Sequence, residues 1–339
     1  MARPSVIVIG AGVAGLSCAL ELSERDIEVS VVDRGHALGD GCCSWMAGGM
    51  LAPWCERATT EPEVATWGAT SIDWWSRRYA GTERQGSLVV AQPRDKSELE
   101  RFAQRTERFQ WLDADGIAGL EPALARRFGR ALFFFDEAHL DPRRALAALA
   151  DQLSRRGVAI QFGVERPAVA GDGEIVVDCR GYAARDVLPD LRGVRGEMIV
   201  VRAPDIDLER PVRLLHPRLP LYVVPRGDGL FMIGATMIES ERRGPVSVRS
   251  AMELLNAAYA LHPAFGEAEI VELGADLRPA FPDNLPQLRR NGRTLHANGL
   301  FRHGFLLAPT LARWVADTIS REGFESEVSH ADFPQRRRA

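Results

Sequence analysis

The sequence has no apolar run that approaches the roughly 20 residues needed to cross a bilayer as a helix. Met1–Ser5, which precede the first predicted strand, are too few to form a secretory signal peptide, so we expect none. The five cysteines show no repeated Cys-x-x-Cys spacing, which argues against a metal site and against a disulfide scaffold. These absences predict a protein of the reducing cytoplasm, with no membrane partner and no metal.

The chain also lacks an excess of positive charge. Its formal net charge is −4 and its isoelectric point is about 6.0, which gives no electrostatic footprint for nucleic acid or an anionic membrane. Short basic clusters occur at Arg242–Arg243, at 289–293 and at Arg336–Arg338, and such short runs are typical of solvated surfaces. We therefore expect no nucleic-acid partner.

What the chain does contain is a βαβ unit at its start. Val6–Ile9 and Val29–Val32 are predicted strands separated by an apolar-periodic helix, and Asp33 ends the second strand. The turn between the first strand and the helix has the pattern Gly-x-Gly-x-x-Gly. In this pattern the glycines permit a tight turn, close approach of a pyrophosphate and close packing of helix on strand, while the acid accepts bonds from ribose hydroxyls. The predicted dinucleotide-binding residues are Gly10, Gly12, Val13, Ala14, Gly15 and Asp33. The motif alone does not separate FAD from NAD.

The length of 339 residues and an apolar content of 46% predict two domains. We expect an α/β fold, with a doubly wound Rossmann-type domain that is discontinuous and comprises residues 1–80, 141–194 and 294–339. Residues 81–140 and 195–293 are expected to form an α+β substrate-binding domain around an antiparallel sheet.

Several further elements can be placed from local patterns. A predicted helix over 64–79 carries three tryptophans, and such clusters occur more often in a core or a domain contact than around a cofactor. Asp141 and Pro142 have the residue types of an N-cap and a first helical position, which predicts a helix that reaches about Arg155. Another helix is predicted over Val248–Leu261.

Seven motifs follow one another in a fixed order along nearly the whole chain. They are Gly10–Gly15 with Asp33, Ser44–Pro53, Arg195–Glu197, Tyr222–Arg226, Gly234–Met237, Leu277–Pro279 and Phe301–Pro309. With this ordered set the chain resembles the D-amino-acid oxidase superfamily of FAD-dependent oxidoreductases, and within it the glycine oxidases of the thiamine pathway. The resemblance implies noncovalently held FAD and oxidation of a small amine, with reduction of oxygen to peroxide.

The resemblance also implies roles for individual residues. Tyr222 matches a substrate-contacting tyrosine, Arg278 a carboxylate-binding arginine, and Arg302 an arginine near the substrate amine and the flavin; these are the expected catalytic residues. The start of the last helix would stabilise negative charge on the reduced flavin. The implied cofactor positions beyond the dinucleotide motif are Arg34, Ser44, Gly48, Gly49, Met50, Gly299, His303, Gly304, Phe305 and Leu306.

The chemistry needs few polar residues, because the flavin is the electron sink and the protein binds and aims the substrate. A planar guanidinium such as that of Arg278 can hold a carboxylate through two parallel bonds. The alternative for Arg278 is a structural ion pair, and for Tyr222 a core tyrosine. No general base is evident, and none is required if the amine loses its proton beforehand.

One residue departs from the family pattern Gly-Leu-Arg-Pro, since the chain has Asp276-Leu277-Arg278-Pro279. On a strand, residues two apart face the same side, so Asp276 and Arg278 are expected to be neighbours. We favour a role in which the carboxylate orients the guanidinium. The alternative is that Asp276 receives a second amino group of a substrate other than glycine.

Other polar residues carry weaker signals. His139 and His216 have no visible partner in the sequence and are expected to be structural. A structural role is also favoured for the His303 side chain, because this position in the family is often another polar residue. Cys42 and Cys43 lie in a glycine-rich loop and are expected to be small fillers.

The predicted function is oxidation of glycine to the imine, with glyoxylate, ammonia and peroxide as products and a hand-off to thiazole synthesis. Alternatives are an oxidase of sarcosine or small D-amino acids, and an amine dehydrogenase that uses a carrier in place of oxygen. A third is a flavoprotein acting on an RNA-borne group, against which the acidic pI argues. The expected partners are a small amino acid and oxygen, and the resemblance implies a homo-oligomer.

Overall fold

The computed structural model of the protein describes residues 5–216 and 220–321. Residues 1–4 and the basic triplet Arg336–Arg338 considered above lie outside this part of the chain. Among the described residues, no helix has both the length and the apolarity to traverse a bilayer.

Helices and strands alternate along the first half of the chain, and strands dominate the second half. The helices are α1 (Val13–Ser23), α2 (Pro53–Glu56), α3 (Pro62–Gly68), α4 (Ser71–Arg78), α5 (Lys96–Gln104), α6 (Ala114–Leu120), α7 (Pro142–Arg155), α8 (Val248–Leu261) and α9 (Gly304–Arg321). The strands are β1 (Ser5–Ile9), β2 (Val29–Asp33), β3 (Met50–Leu51), β4 (Ser87–Ala91), β5 (Gln110–Asp113), β6 (Arg130–Phe134), β7 (Ala138–His139), β8 (Ile160–Phe162), β9 (Glu174–Asp178), β10 (Arg192–Arg202), β11 (Val212–Leu215), β12 (Leu221–Pro225), β13 (Leu230–Gly234), β14 (Ile238–Glu239), β15 (Glu269–Ala280), β16 (Gln287–Asn291) and β17 (Thr294–Asn298).

One sheet has six strands in the order β16-β17-β9-β1-β2-β8. The strands from β17 to β8 run parallel to their neighbours, and β16 runs antiparallel to β17. The sequence β1-α1-β2 is the predicted βαβ unit, and Asp33 is the last residue of β2. The Rossmann-type α/β fold is therefore confirmed.

Side chains of β1 alternate between two apolar layers, as expected for a strand covered on both faces. Val6 and Val8 belong to the large core that includes α1, α7 and α9. Ile9 faces the opposite layer, where it packs with Val164 and Ala168. This double coverage leaves the carboxyl ends of β1 and β2 as the edge at which a ligand can approach.

The second sheet has nine strands, with the path β14-β10-β13-β12-β11-β4-β6-β5 and with β15 paired along β10. Its pairs are antiparallel except that β4 and β11 run parallel, which corrects the expectation of a wholly antiparallel sheet. The β10–β15 pairing matters most for the site, because it sets Gly196 opposite Asp276 and Val194 opposite Arg278. Two of the sequence motifs thus lie side by side on one surface.

The predicted boundary between residues 293 and 294 is wrong by one strand. β16 lies in the range assigned to the substrate domain, yet it pairs with β17 in the six-stranded sheet. The two strands form a hairpin with Asn291 opposite Thr294, so they enter the same sheet together. The remaining domain boundaries stay predictions.

The single helix predicted over 64–79 is instead two helices, α3 and α4. Gly68 ends α3 against Leu306 of α9, where an added Cβ would lie 2.7 Å from the leucine Cγ. After the break, Trp74 donates to Glu21 Oε1 at 2.5 Å and Trp75 donates to the Phe305 carbonyl at 2.8 Å. The tryptophans therefore anchor α4 to α1 and α9, as a core contact.

Side-chain caps fix the starts of α7 and α8. Asp141 Oδ1 accepts the backbone N–H groups of Arg143 at 2.8 Å and Arg144 at 3.2 Å, which confirms the predicted N-cap of α7. α8 spans the predicted residues, and the Ser247 side chain caps it by accepting the Ser250 amide.

We predict that Gly15→Ala destabilises the protein by about 1–3 kcal/mol, the usual cost of overpacking. An added Cβ at Gly15 would lie 1.8 Å from the Gly10 carbonyl oxygen, so the helix and the turn must separate. Urea unfolding at fixed FAD concentration measures the loss. The control is Gly119→Ala in α6, where an added Cβ meets nothing within 4 Å, and this variant should gain up to about 1 kcal/mol. Equal stability of Gly15→Ala and the parent would contradict the close packing.

Candidate active site

A cavity of about 340 Å³ lies between the two sheets. Asp33 and Arg34, at the end of β2, lie at its wall together with the start of α1. Tyr222 of β12, Arg278 of β15 and Arg302 before α9 line the part formed by the second sheet. The structure therefore brings the predicted dinucleotide and substrate residues into one continuous space.

The wall at the end of β1 has the features of a dinucleotide site. Gly10 has φ +108°, and an added Cβ would lie 2.5 Å from the Cys179 carbonyl oxygen, so only glycine fits. The Asp33 carboxylate accepts the Ala11 amide at 2.6 Å and the Gly35 amide at 2.7 Å. Each carboxylate oxygen keeps a lone pair for a ribose hydroxyl. The acid is thus fixed in position while it remains able to bind ligand.

The start of α1 faces the same cavity. The Ser44 hydroxyl accepts the Val13 amide at 3.2 Å, which ties the Ser44–Met50 segment to the helix. An added Cβ at Gly12 would lie 3.2 Å from Cys42 Sγ and 3.5 Å from Ser44 Oγ, so the glycine keeps the backbone accessible. Open backbone at a helix N-terminus is the arrangement that binds a pyrophosphate. These residues fit FAD.

Arg278 is held in a slot whose floor is Gly196. An added Cβ at Gly196 would lie 2.3 Å from the Arg278 Cζ, so no other residue leaves room for the guanidinium. Arg278 Nη1 donates to the Thr236 carbonyl at 2.9 Å, and the Thr236 hydroxyl accepts the Glu197 amide at 2.9 Å. Burial lowers the pKa of Arg278, and in the described part of the chain no carboxylate pairs with it. This guanidinium has donors left for an anionic ligand.

Tyr222 lies beside this slot. An added Cβ at Gly48 would come within 3.0 Å of its ring, and one at Gly234 within 3.1 Å. Tyr222 thus packs on the segment that passes along the cavity, and it lies near enough to Arg278 to favour the charged guanidinium.

Arg302 also lines the cavity, but its guanidinium is already paired. Its Nη2 lies 2.6 Å from Glu56 Oε2 and donates to the Thr59 hydroxyl at 2.6 Å. Arg213 pairs with the other oxygen of Glu56. Arg302 and Arg213 hold the pKa of Glu56 well below its usual value, despite burial. Arg302 is therefore less available for a substrate carboxylate than Arg278 is.

His303 and Glu137 border this buried group of charges. His303 Nδ1 lies 3.8 Å from Glu56 Oε2, and burial lowers the pKa of His303 to about 3, so the ring is neutral. Glu137 accepts the Cys55 amide at 2.7 Å, and burial raises its pKa to about 8. A neutral histidine and a protonated carboxyl thus sit beside an ionised carboxylate.

Asp276 lines the cavity together with Arg278, so the predicted shared face is confirmed. The prediction that Asp276 orients the guanidinium is wrong. The arginine crosses diagonally to Gly196 on the neighbouring strand, whereas Asp276 Oδ1 accepts the Leu277 amide of its own strand at 2.7 Å. Burial raises the pKa of Asp276, and Arg243 and Arg34 act against that rise. The alternative, that Asp276 binds a second amino group of a substrate other than glycine, stays a prediction.

Six of the predicted cofactor residues do not line the cavity: Gly15, Gly49, Met50, Gly299, His303 and Leu306. Gly49 has φ +73° and an added Cβ would lie 2.1 Å from the Leu140 carbonyl oxygen, while Gly299 has φ +82° and packs on Phe281. Met50 pairs with His139 between β3 and β7. Contact of these six residues with the cofactor stays a prediction. The predicted Arg34, Ser44, Gly304 and Phe305 do line the cavity.

Three functional residues were not singled out from the sequence. Gly196 lies within the motif Arg195–Glu197 and Arg226 ends the motif that starts at Tyr222, so both had a signal. Glu56 had no signal in the sequence, because its partners come from distant parts of the chain.

Cys42 and Cys43 line the cavity, and burial raises the pKa of both thiols.

The buried Arg195 fixes the loop that borders the cavity beside Asp276. It donates to the carbonyls of Arg242 at 2.7 Å and Pro245 at 2.6 Å, and it pairs with Glu197 at 2.7 Å. This loop places Arg243 at the cavity wall. The loop and the Arg278 slot are therefore connected through Glu197 and Thr236.

Comparison with known proteins gives a consistent result. A family model described as DAO, FAD dependent oxidoreductase, matches residues 5–318. The chain is 54% identical over 323 residues to a thiamine biosynthesis oxidoreductase ThiO of Rhizobium etli, covering 95% of this chain and 98% of that protein. It is 26% identical over 373 residues to a glycine oxidase of Bacillus licheniformis, covering 99% and 98%. The crystal structure of glycine oxidase from Geobacillus kaustophilus superposes with a TM-score of 0.79 at 25% identity, covering 94% and 95%.

We predict that Glu137→Gln removes a pH dependence of stability between about pH 5 and 8. The pKa of Glu137 rises from 4.5 to about 8 on folding, so in this window the folded protein keeps a proton that the unfolded chain has released. As the pH rises through this window, the free energy of unfolding of the parent should then fall by about 1.4 kcal/mol per pH unit relative to the variant. Urea unfolding at several pH values measures the difference. The exposed control Glu253→Gln should follow the parent, and parallel curves for parent and Glu137→Gln would refute the prediction.

Proposed function

Because the chain belongs to the DAO family of FAD dependent oxidoreductases, we propose that it is an FAD-dependent oxidase of glycine. The observation that carries the substrate assignment is Arg278, a guanidinium at the cavity wall with a backbone carbonyl as its hydrogen-bond partner. A planar cation with free donors is suited to a small carboxylate.

The cofactor would lie along the cavity from Asp33 to Tyr222. Asp33 would accept the ribose hydroxyls, and the backbone around Gly10 and Gly12 would hold the pyrophosphate at the start of α1. The segment that includes Ser44 and Gly48 would border the flavin. Noncovalent binding predicts that denaturation releases free FAD.

The chain's own residues bind and aim the substrate. Arg278 would take the carboxylate, and Tyr222 would limit its movement from the side. When bound, FAD accepts two electrons from the amine and passes them to oxygen, which gives peroxide. Glu56 is paired with Arg213 and Arg302, so it is not free to take a proton from the substrate. The amine is therefore expected to react in its uncharged form, with rate gained from positioning.

The products would be the imine of glycine and, after hydrolysis, glyoxylate and ammonia. The ThiO relative supports a place in thiamine biosynthesis, where the imine would be handed to thiazole assembly. We also propose a reducing cytoplasmic setting, in keeping with five free cysteines, and a homo-oligomer, which sedimentation would test.

A peroxide-coupled assay with glycine, sarcosine, D-alanine and D-proline tests the proposal. Glycine should give peroxide and glyoxylate in air and should bleach the flavin without oxygen. One methyl group changes binding by only about 1–3 kcal/mol, so some activity on sarcosine or D-alanine is compatible with it. Flavin reduction without peroxide would favour a dehydrogenase, and failure with every small amine would overturn the proposal.

We predict that Arg278→Lys lowers kcat/KM for glycine by about 10- to 100-fold, because lysine keeps the charge and loses the planar pair of donors. Turnover of ethylamine, which has no carboxylate, should change much less. Steady-state kinetics on both substrates measure the contrast, with Arg289→Lys in the exposed pair with Asp190 as the control. Equal losses on both amines would mean that Arg278 is structural.

A further inference from the structure

Arg226 is a half-buried cation, and within the described residues its hydrogen-bond acceptors are backbone carbonyls. It directly follows β12, and its Nη1 donates to the Leu140 carbonyl at 2.8 Å. Its Nη2 donates to the carbonyls of Ala47 at 2.9 Å and Gly48 at 3.0 Å. Among the described residues no carboxylate forms an ion pair with Arg226, and desolvation lowers its pKa to about 10. It remains charged at neutral pH.

The carbonyls that Arg226 holds belong to the cavity wall. Ala47 and Gly48 both line the cavity, and Gly48 packs against the ring of Tyr222. Tyr222 lies in β12 and Arg226 directly follows that strand. The strand and the residue after it therefore both contact the segment at Ala47 and Gly48. The tyrosine ring leaves no room for a side chain at Gly48, while the guanidinium holds the carbonyl oxygens of Ala47 and Gly48.

Fixing the carbonyls also fixes the neighbouring N–H groups. In a planar trans peptide the C=O of one residue and the N–H of the next point in opposite directions. With the Ala47 and Gly48 oxygens turned to Arg226, the N–H groups of Gly48 and Gly49 point away from it. Within the described residues, neither of these N–H groups has a hydrogen-bond acceptor. Gly49 is buried and Gly48 is half-buried at the cavity wall. Because buried backbone donors rarely stay unpaired, a ligand acceptor is expected there.

We propose that Arg226 is a positioning residue for the cofactor: it holds the peptides at 47–49 so that the Gly48 and Gly49 N–H groups bind the flavin. This inference rests on FAD occupying the cavity, and it does not depend on which amine is oxidised. Arg226 itself need not touch the cofactor. The residue therefore links the second sheet, which carries the substrate groups, to the backbone along the flavin.

The dissociation constant of FAD from the apoprotein tests the proposal, together with the visible circular dichroism of the bound flavin. Arg226→Met should weaken FAD binding by about tenfold or more, because charge-assisted bonds to the two wall carbonyls are lost. It should also alter the visible dichroism. Arg226→Lys keeps the charge and reaches fewer carbonyls, so its affinity should fall between those of the parent and the methionine variant.

The matched control is Arg143→Met. Arg143 holds the same segment from outside the cavity, since it donates to the Trp45 carbonyl at 3.2 Å and pairs with Glu272 at 2.7 Å. This variant should lose stability but change FAD affinity by less than about threefold, with an unchanged flavin spectrum. Equal loss of affinity in the Arg143 and Arg226 variants, or parent-like affinity in Arg226→Met, would overturn the proposal.

The test also covers a variant that fails to fold and a parent protein that does not oxidise glycine. If Arg226→Met does not fold, Arg226→Lys decides the matter, and parent-like affinity and dichroism in that variant would overturn the proposal. Because FAD binding is measured without substrate, a parent protein that binds FAD but does not oxidise glycine would refute the proposed substrate and leave this test intact.

Discussion

The pairing of β10 with β15 is the constraint on which the site depends. It sets Gly196 opposite Asp276, two residues along β15 from Arg278 and on the same face, so the arginine can cross onto the bare backbone of the neighbouring strand. The Thr236 carbonyl then fixes the guanidinium from the side. A long, flexible side chain is thereby held in one orientation with no carboxylate partner in the part of the chain that the structure describes, which leaves its charge for a ligand. Any side chain at Gly196 would occupy the same space, so the glycine is as much a part of the binding site as the arginine.

Two of the arginines that line the cavity, Arg278 and Arg302, differ in whether a carboxylate pairs with them. Arg302 is neutralised by Glu56, whose other oxygen is taken by Arg213, whereas Arg278 has no acid partner among the described residues. Arg278 therefore offers a small carboxylate free donors, whereas the Arg302 guanidinium is already paired with Glu56. The pairing of Glu56 also explains why a buried carboxylate so close to the cavity stays ionised, since two cations offset its desolvation. In the proposed function, the substrate carboxylate would therefore bind at Arg278 and not at Arg302.

The sequence was most informative where function depends on backbone. Gly10, Gly12 and Asp33 could be assigned because a turn, a helix start and a strand end have local signatures. Arg278 and Tyr222 could be located from ordered motifs, and both lie at the cavity wall. The sequence could not reveal that Glu56 pairs with Arg302, because that contact joins distant segments. It also did not reveal that Asp276 accepts the Leu277 amide of its own strand, because the shared face of the strand predicted only that Asp276 and Arg278 are neighbours. Gly49 and Gly299 were expected at the cofactor from the resemblance, and the structure adds that both have positive φ and pack closely, on the Leu140 carbonyl and on Phe281.

The central claim is that Gly196 acts only by making room for the Arg278 guanidinium. A double-mutant cycle tests it most directly, with glycolate as a ligand that has the carboxylate of glycine and no amine. Its affinity for the FAD-loaded parent, Gly196→Ala, Arg278→Lys and the double variant can be followed through the flavin absorbance. Each single change should weaken binding, and the double variant should bind no more weakly than Arg278→Lys alone. Losses that add in full would mean that the two residues act independently and would contradict the account.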